Sequence, residues 1–361
     1  VISPEADLPV EFTDISDRDV SSREKEARRL ATLEARRPFN LATGPLTRIN
    51  VIRLDAQDHV VILNMHHIIS DGWSMGVLIN EITTLYAAFS KGQPSPFPEL
   101  PIQYADYAEW QKEYLQGELL QKQLDFWKTH LGHNPPVLEL PTDRPRPLVQ
   151  SNVGASLTTC LDREATDGLY KFVRKEGATR FMVLLSAFKV LLYRYSGQSD
   201  ICIGTPIANR TRGEVEGLIG LFINTLVLRT EFSDNPTFTG LVRKVKKTTL
   251  DAFENQDLPF EYLVDKLQPD RDMSYSPLFQ VMFILQNAPV NVGRVADMSM
   301  EMISLDMGTS TFDITISIAE AASGLNISIE YNTDLFDETT IERFLGHYRN
   351  LLFEIIRDAD Q

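Results

Sequence analysis

Cysteine is almost absent from this chain. Cys160 and Cys202 are the only two among 361 residues and lie in unrelated surroundings, so neither a disulfide framework nor a thiolate zinc site is encoded. A block of basic residues is missing too. Against 35 Lys and Arg stand 50 Asp and Glu, a net charge of -15, and binding to a phosphate backbone needs a basic face. This argues against nucleic acid as a partner. No apolar run approaches the ~18 residues of a membrane span, and the start lacks the charged-then-apolar order of a signal peptide. Those absences point away from membranes and toward the cytoplasm. No initiator Met is present either: the chain opens Val1-Ile2-Ser3-Pro4, which reads as a piece of a longer polypeptide. Neither a nucleophile elbow nor a Gly-rich phosphate loop occurs, so covalent serine or cysteine chemistry and nucleotide hydrolysis have no visible machinery.

What is present is organised around Asn64-Met65-His66-His67-Ile68-Ile69-Ser70-Asp71-Gly72-Trp73-Ser74. It begins after the apolar run from Val60 to Leu63, which predicts a buried strand. Beyond Asp71-Gly72, Leu78, Ile82, Leu85 and Phe89 share one face of a helix. Strand alternation then puts His66 and His67 on opposite faces, one facing a cleft and the other packing or orienting it. An imidazole titrates near neutral pH and can take a proton from an attacking group. Asp71 has two readings, a cap for the helix beginning near Trp73 or half of a buried ion pair that ties down the turn. Gly72 lets a substrate or another backbone approach closely. A metal site is not expected, because the two histidines diverge and no third ligand type clusters near them. The inference from these residues is direct transfer between two bound substrates that were activated elsewhere.

Along the rest of the chain, residues 1 to 20 read as acidic and irregular. Ser21-Ser22 opens a helix carrying Ala27, Leu30 and Leu33 that must stop before Pro38. Strands near Ile49 to Leu54 and through Val60 form a hairpin over the Asp55-Ala56-Gln57-Asp58 turn. One helix is predicted from Tyr104 through Trp127 and Leu131. Between His133 and Gly154 lie Pro135, Pro136, Pro141, Pro145 and Pro147, a density that regular structure tolerates poorly, and this marks a boundary between lobes at 1–140 and 141–361. Helices then follow from about Asp162 to Glu176, Phe181 to Tyr195, Phe238 to Phe253 and Thr339 to Ile356. Strands are predicted at Ile201 to Pro206, Phe222 to Leu228, Leu278 to Leu285, Phe312 to Ile318 and Leu325 to Tyr331. Alternating helices and strands in both halves predict layered α/β lobes.

The HHIISDG stretch resembles the HHxxxDG signature of the condensation domains of nonribosomal peptide synthetases. Four further stretches follow in that family's order: Tyr104-Ala105-Asp106-Tyr107-Ala108-Glu109-Trp110, Ile219-Gly220-Leu221-Phe222-Ile223-Asn224-Thr225, Asn255-Gln256-Asp257-Leu258-Pro259-Phe260-Glu261 and Arg271-Asp272-Met273-Ser274-Tyr275-Ser276-Pro277-Leu278. The resemblance implies a two-lobed, V-shaped α/β fold of the chloramphenicol acetyltransferase kind with its active site between the lobes. It implies that an aminoacyl amine on one carrier protein attacks an acyl or peptidyl thioester on another, forming an amide. Peptidyl carrier proteins upstream and downstream, beside an adenylation domain, are the implied partners. The 4'-phosphopantetheine arms belong to those carriers, and no cofactor is implied for this chain. By the same match, His67 is the central catalytic residue, as base or as hydrogen-bond orienter, and His66, Asp71 and Gly72 complete the motif. Asp71 would pair with Arg210, in the second lobe, while Trp73, Asn224 and Gln256 would line the substrate tunnel. Asn224-Thr225-Leu226 is similar to the subtype that joins an L-configured donor to an L-configured acceptor. Two segments that open the family's pattern are missing, which implies an amino-terminal lobe without its first strand and helix. The rival readings are a non-catalytic docking module of the same fold and a free-standing CoA-dependent acyltransferase.

Overall fold

A computed structural model describes residues 8–132, 134–232, 234–269, 272–286, 294–295, 298–303, 305 and 307–358. The chain divides into two compact units, each made of separated segments. The first comprises residues 1–107, 210–222 and 288–307, and the second 108–209, 223–287 and 308–361. The proline-rich stretch thus lies inside the second unit and not at a boundary. Arg210 belongs to the first, although the strands on either side of it in sequence belong to the second.

In the first unit, β1 (Val10–Asp14) runs parallel to β2 (Thr47–Asp55), with α1 (Val20–Arg36) as the crossover between them, and β3 (Asp58–Met65) pairs antiparallel with β2. The segment expected to be irregular is therefore partly a strand. Its Val10-Glu11-Phe12-Thr13-Asp14 pattern is acidic, yet pairing with β2 satisfies its backbone where local propensity alone would not. The predicted hairpin is present. β3 is not buried, however: it ends a three-stranded sheet ordered β1-β2-β3, and Val61 is 63% exposed. A small core forms where Ala27 and Leu30 of α1 meet Ile15, Ile52, Leu54, Val60 and Ile62.

α2 (Gly72–Phe89) and α3 (Tyr104–Tyr114) follow. The single helix expected from Tyr104 to Leu131 is in fact α3 and α4 (Gly117–Leu131). The break falls at Leu115 and Gln116, where Gln116 is extended at φ -138° and ψ 169°, and α4 then opens on Gly117, whose left-handed φ of 56° strains glycine little. Gln123, Leu124, Trp127 and Leu131 form the buried stripe of α4.

The second unit is built on a six-stranded sheet ordered β4-β11-β10-β7-β5-β6. Its strands are β4 (Gly154–Asp162), β5 (Asp200–Ile207), β6 (Asn224–Glu231), β7 (Val281–Gln286), β10 (Ile314–Ala321) and β11 (Gly324–Asn332). Helices α5 (Arg163–Lys175), α6 (Arg180–Ser196), α8 (Phe238–Glu254) and α10 (Glu338–Arg357) pack on one another and on this sheet. The short helix α7 (Gly213–Glu216) and the two-residue strands β8 (Arg294–Val295) and β9 (Met298–Ser299) belong to the first unit, and α9 (Phe260–Leu267) to the second. β4 is not legible in the sequence because its Ser156, Thr158 and Cys160 are exposed, so only its alternate residues signal burial. Asp162, expected to open α5, caps it by accepting a hydrogen bond from the Ala165 N–H at 2.9 Å.

Candidate active site

The histidine motif sits at the end of β3. That strand stops at Met65, and His67–Ile69 form one turn of 3-10 helix before α2 begins at Gly72. Neither histidine lies in the strand, so strand alternation does not separate them, and the coil after His66 gives the two different settings. The Nδ1 of His66 accepts a hydrogen bond from the Ile68 N–H at 3.1 Å and so caps the turn. The His66 N–H donates to the Leu46 carbonyl at 2.9 Å, and the His66 ring meets Phe39 edge-on with centroids 5.8 Å apart. His67, the first residue of the turn, is exposed.

Asp71 serves both of its expected purposes at once. Its Oδ1 accepts from the Ser74 N–H at 2.8 Å, capping α2, and also meets the Arg210 Nη2 at 3.2 Å. Its Oδ2 accepts from the Phe222 N–H at 2.9 Å. Both charged side chains are almost wholly buried, at 1% exposure for Arg210 and 2% for Asp71. Burial alone would push the Asp71 carboxyl up, but the Ser74 and Phe222 N–H donors, the Ser74 hydroxyl and Arg210 together hold it below the usual carboxylate value. Arg210 shifts down because it is buried, with Asp71 opposing the shift, and a guanidinium remains charged throughout.

The remainder of the network explains why residues 210–222 belong with α2. Arg210 donates to the carbonyls of Val215 and Leu218 and to the Ser74 Oγ, and lies 4.0 Å over the Phe222 ring. The Ser74 Oγ also donates to the Gly220 carbonyl at 2.9 Å and accepts from the Gly220 N–H at 3.1 Å. The Trp73 Nε1 donates to the Glu216 carbonyl and the Tyr104 hydroxyl to the Leu221 carbonyl. Gly220 is required here, since a Cβ on it would come within 2.2 Å of the Tyr104 ring. Ser74, Tyr104, Gly220 and Phe222 stand inside the sequence motifs, but these tasks are not visible from the sequence. The signal was a polar Ser at the start of an apolar helix and a Gly before a strand, and nothing local ties them together across 146 residues.

The expected tunnel residues fall into different settings. Trp73 is fastened through its indole to the strap formed by residues 210–222. Asn224 does not have a free amide to offer a ligand: its Nδ2 donates to the carbonyls of Gln256 and Leu258, and its Oδ1 accepts from the Thr225 and Phe260 N–H groups. It clamps β6 to the 256–260 loop, and Gln256 participates through its backbone. Nor does any protein backbone press on Gly72, where an added Cβ would meet nothing within 4 Å. Arg271, which opens the fifth motif, lies outside the described residues. Among the described residues no group of three or more His, Cys, Asp or Glu is placed to hold a metal, and no helix is long and apolar enough to cross a membrane.

The chain as a whole has counterparts among known proteins. The chain belongs to the Condensation domain family, whose model matches residues 1–361. It is 49% identical over 363 residues to one of the linear gramicidin synthase polypeptides of Brevibacillus parabrevis, covering all of this chain and 7% of that protein. It is 41% identical over 325 residues to surfactin synthase subunit 1 of Bacillus subtilis, covering 90% of this chain and 9% of that protein. The chain thus spans less than a tenth of the length of these relatives. Among solved structures it is similar in fold to the X-domain from teicoplanin biosynthesis, with a TM-score of 0.90 at 24% identity over 100% of this chain and 81% of that one. A four-domain nonribosomal peptide synthetase bound to AMP and glycine gives a TM-score of 0.87 at 24% identity, over 99% of this chain and 28% of that one. The mixed α/β architecture expected from the alternation of helices and strands is the one observed.

Proposed function

We propose that this domain forms a peptide bond between two carrier-bound substrates within a nonribosomal peptide synthetase. The observation that carries the reading is the intact motif, with His67 exposed on a turn whose two ends are fixed by the His66 cap and by the buried Asp71–Arg210 pair. Chemically, the acceptor amine nitrogen attacks the donor thioester carbonyl, an oxyanion forms and collapses, the C–S bond breaks, and the proton lost by the amine ends on the leaving thiol. An exposed imidazole can take that proton or hold the amine in line. Bringing two tethered substrates together supplies a large part of the acceleration, and an α-amine, titrating near ~8, is already partly neutral at pH 7.

Carrier proteins on either side, their 4'-phosphopantetheine arms and an adjacent adenylation domain are the partners of this proposal, in the cytoplasm. The likeness of Asn224-Thr225-Leu226 to the L-donor, L-acceptor subtype supports that stereochemistry. The test is single-turnover condensation between two loaded carriers by the synthetase polypeptide that contains this domain, with product read by mass spectrometry. His67→Ala is expected to lose roughly 10²-fold or more of the rate, the scale of a missing acid–base group, while its unfolding curve overlays the parent. Near-parental product from His67→Ala, or transfer from CoA thioesters in place of carriers, would overturn the reading.

A further inference from the structure

We infer that the joint between the carboxy-terminal end of α5 and the middle of α8 is a docking surface for an acidic protein surface carried by another domain of the same polypeptide. The inference rests on the proposed reading of this chain as one domain of a longer synthetase. Its basis is a concentration of cations in a chain whose net charge is -15. α5 ends on Lys171, Arg174 and Lys175, α8 carries Arg243, Lys246 and Lys247, and all but the half-buried Lys246 are exposed. The two sets meet. Phe172 and Phe238 pack with ring centroids 5.8 Å apart, the Lys246 Nζ donates to the Gly177 carbonyl at 2.6 Å, and the Arg243 Nη2 lies 3.8 Å from the Glu176 Oε2. Glu176 is only 10% exposed, so this carboxylate adds little negative charge to the surface.

Helix chemistry by itself does not call for this arrangement. Lys171 and Lys175, and likewise Arg243 and Lys247, are four residues apart on one helix face, where like charges repel. Bases in the last turn of α5 are favoured by its dipole, but α8 runs the other way, with its bases in mid-helix and Asp251 and Glu254 at its carboxy-terminal end. α1 shows the opposite device within the same chain: Arg28 pairs with Glu24, Arg29 with Glu26 and Arg37 with Glu34, each three or four residues away. Among the described residues, Lys171, Arg174, Lys175 and Lys247 form no such pair. Carboxylates brought by a second surface relieve the repulsion. A lone phosphate fits less well, because the end of α5 presents carbonyls and the cations stand in solvent on long side chains. Nucleic acid is opposed by the charge of the whole chain. Exposed charge contacts are individually weak and screened by salt, so they suffice only where tethering supplies a high effective concentration. The relatives provide that setting, since this chain corresponds to 7% of one and 9% of another.

The experiment is zero-length carbodiimide coupling in the full synthetase polypeptide, which joins a lysine amine to a carboxylate with loss of water and so reports ion-pair contacts. Coupled peptides are mapped by mass spectrometry, with isotope-labelled and unlabelled polypeptide mixed to tell links within one molecule from links between two. Lys171, Lys175, Lys246 and Lys247 are expected to couple to Asp or Glu residues of another domain of the same molecule. The yield should fall about fivefold or more between ~0.05 M and ~1 M salt, as the screening length shrinks. A double variant, Arg174→Glu with Lys247→Glu, leaves Lys171, Lys175 and Lys246 as reporters and should lose these links to a similar degree. Both reversals put a Glu three or four residues from a remaining cation, so its melting temperature should hold level or rise, which separates lost docking from lost folding. Links confined to residues 1–361, links unchanged by salt or in the double variant, or links joining two molecules would each overturn the inference. Coupling does not depend on condensation: interdomain links in a polypeptide that makes no peptide bond would sink the proposed activity and leave the docking surface standing.

Discussion

Asp71 shows how a single side chain can answer two demands. Its carboxylate has enough acceptor capacity to cap α2, receive the Phe222 N–H and face Arg210. Asp71→Asn would keep one oxygen but turn an NH₂ toward a donor and leave a buried guanidinium without its counter-charge. It is expected to cost roughly 3–5 kcal/mol, far above the loss expected for an exposed cap. Urea melts of Asp71→Asn, Arg210→Met and the double variant should show strong non-additivity. Additive losses, or Asp71→Asn melting with the parent, would contradict the paired role. Gly72 lies next to it yet carries no such load. With open space at its Cβ position and an ordinary negative φ, Gly72→Ala should hold stability level or raise it by about 0.4–1 kcal/mol. If condensation falls in that same stable variant, the space is used by a substrate; unchanged condensation would leave glycine there without a functional reason.

At the scale of elements, Asn224 illustrates how a motif letter acquires a structural purpose. Its side chain makes four hydrogen bonds that join the first residue of β6 to the loop leading into α9. Asn224→Leu keeps the volume and strands two carbonyls and two N–H groups, so a loss of about 3 kcal/mol or more is expected, since each unsatisfied buried group costs about 1–3 kcal/mol. Thermal unfolding of the purified variant measures it, and an unshifted melting temperature would show that water replaces the clamp. The same loop also receives α4, where the Gln123 Oε1 accepts from the Leu258 N–H and the Trp127 indole donates to the Asn255 carbonyl. The Asn255 to Glu261 motif is therefore legible as structure, a hub for β6, α4 and α9.

For the molecule as a whole, acid stability should be governed in part by His130. Burial, followed by the nearby Lys189 and Arg229 cations, depresses its folded-state value from 6.5 to about 4. A depressed histidine is neutral when folded and takes up a proton on unfolding, so its contribution is fully present above pH 6.5 and is lost as pH falls toward 4. The shift corresponds to about 3 kcal/mol over that window. His130→Gln should flatten the slope of unfolding free energy between pH 6.5 and 4, measured by urea titration at stepped pH; an unchanged slope would remove His130 from the account. Lys189 acts in the same direction at higher pH. It is fully buried against the Leu228 carbonyl and the Thr230 hydroxyl, and desolvation brings it down from 10.5 to about 7. Its contribution is therefore lost as pH falls from 10.5 toward 7.

The sequence by itself determined the class of architecture, most element positions in the second unit, and the five ordered motifs. These rest on periodicity, caps such as Asp162, and residue types that sit within a few positions of one another. Tertiary structure decided whatever depends on partners far along the chain. Val10–Asp14 became a strand because β2 offered it a ladder, and β3 became an exposed edge because the sheet ends there. The helix expected from Tyr104 to Leu131 broke at Leu115 and Gln116, where an extended Gln116 followed by a left-handed Gly117 is something amphipathic spacing does not register. At the site, the Asp71–Arg210 pair spans 139 residues and the Ser74–Gly220 bonds span 146. No local pattern encodes such contacts, because their energy comes from desolvating both partners together in a place that only the folded chain creates.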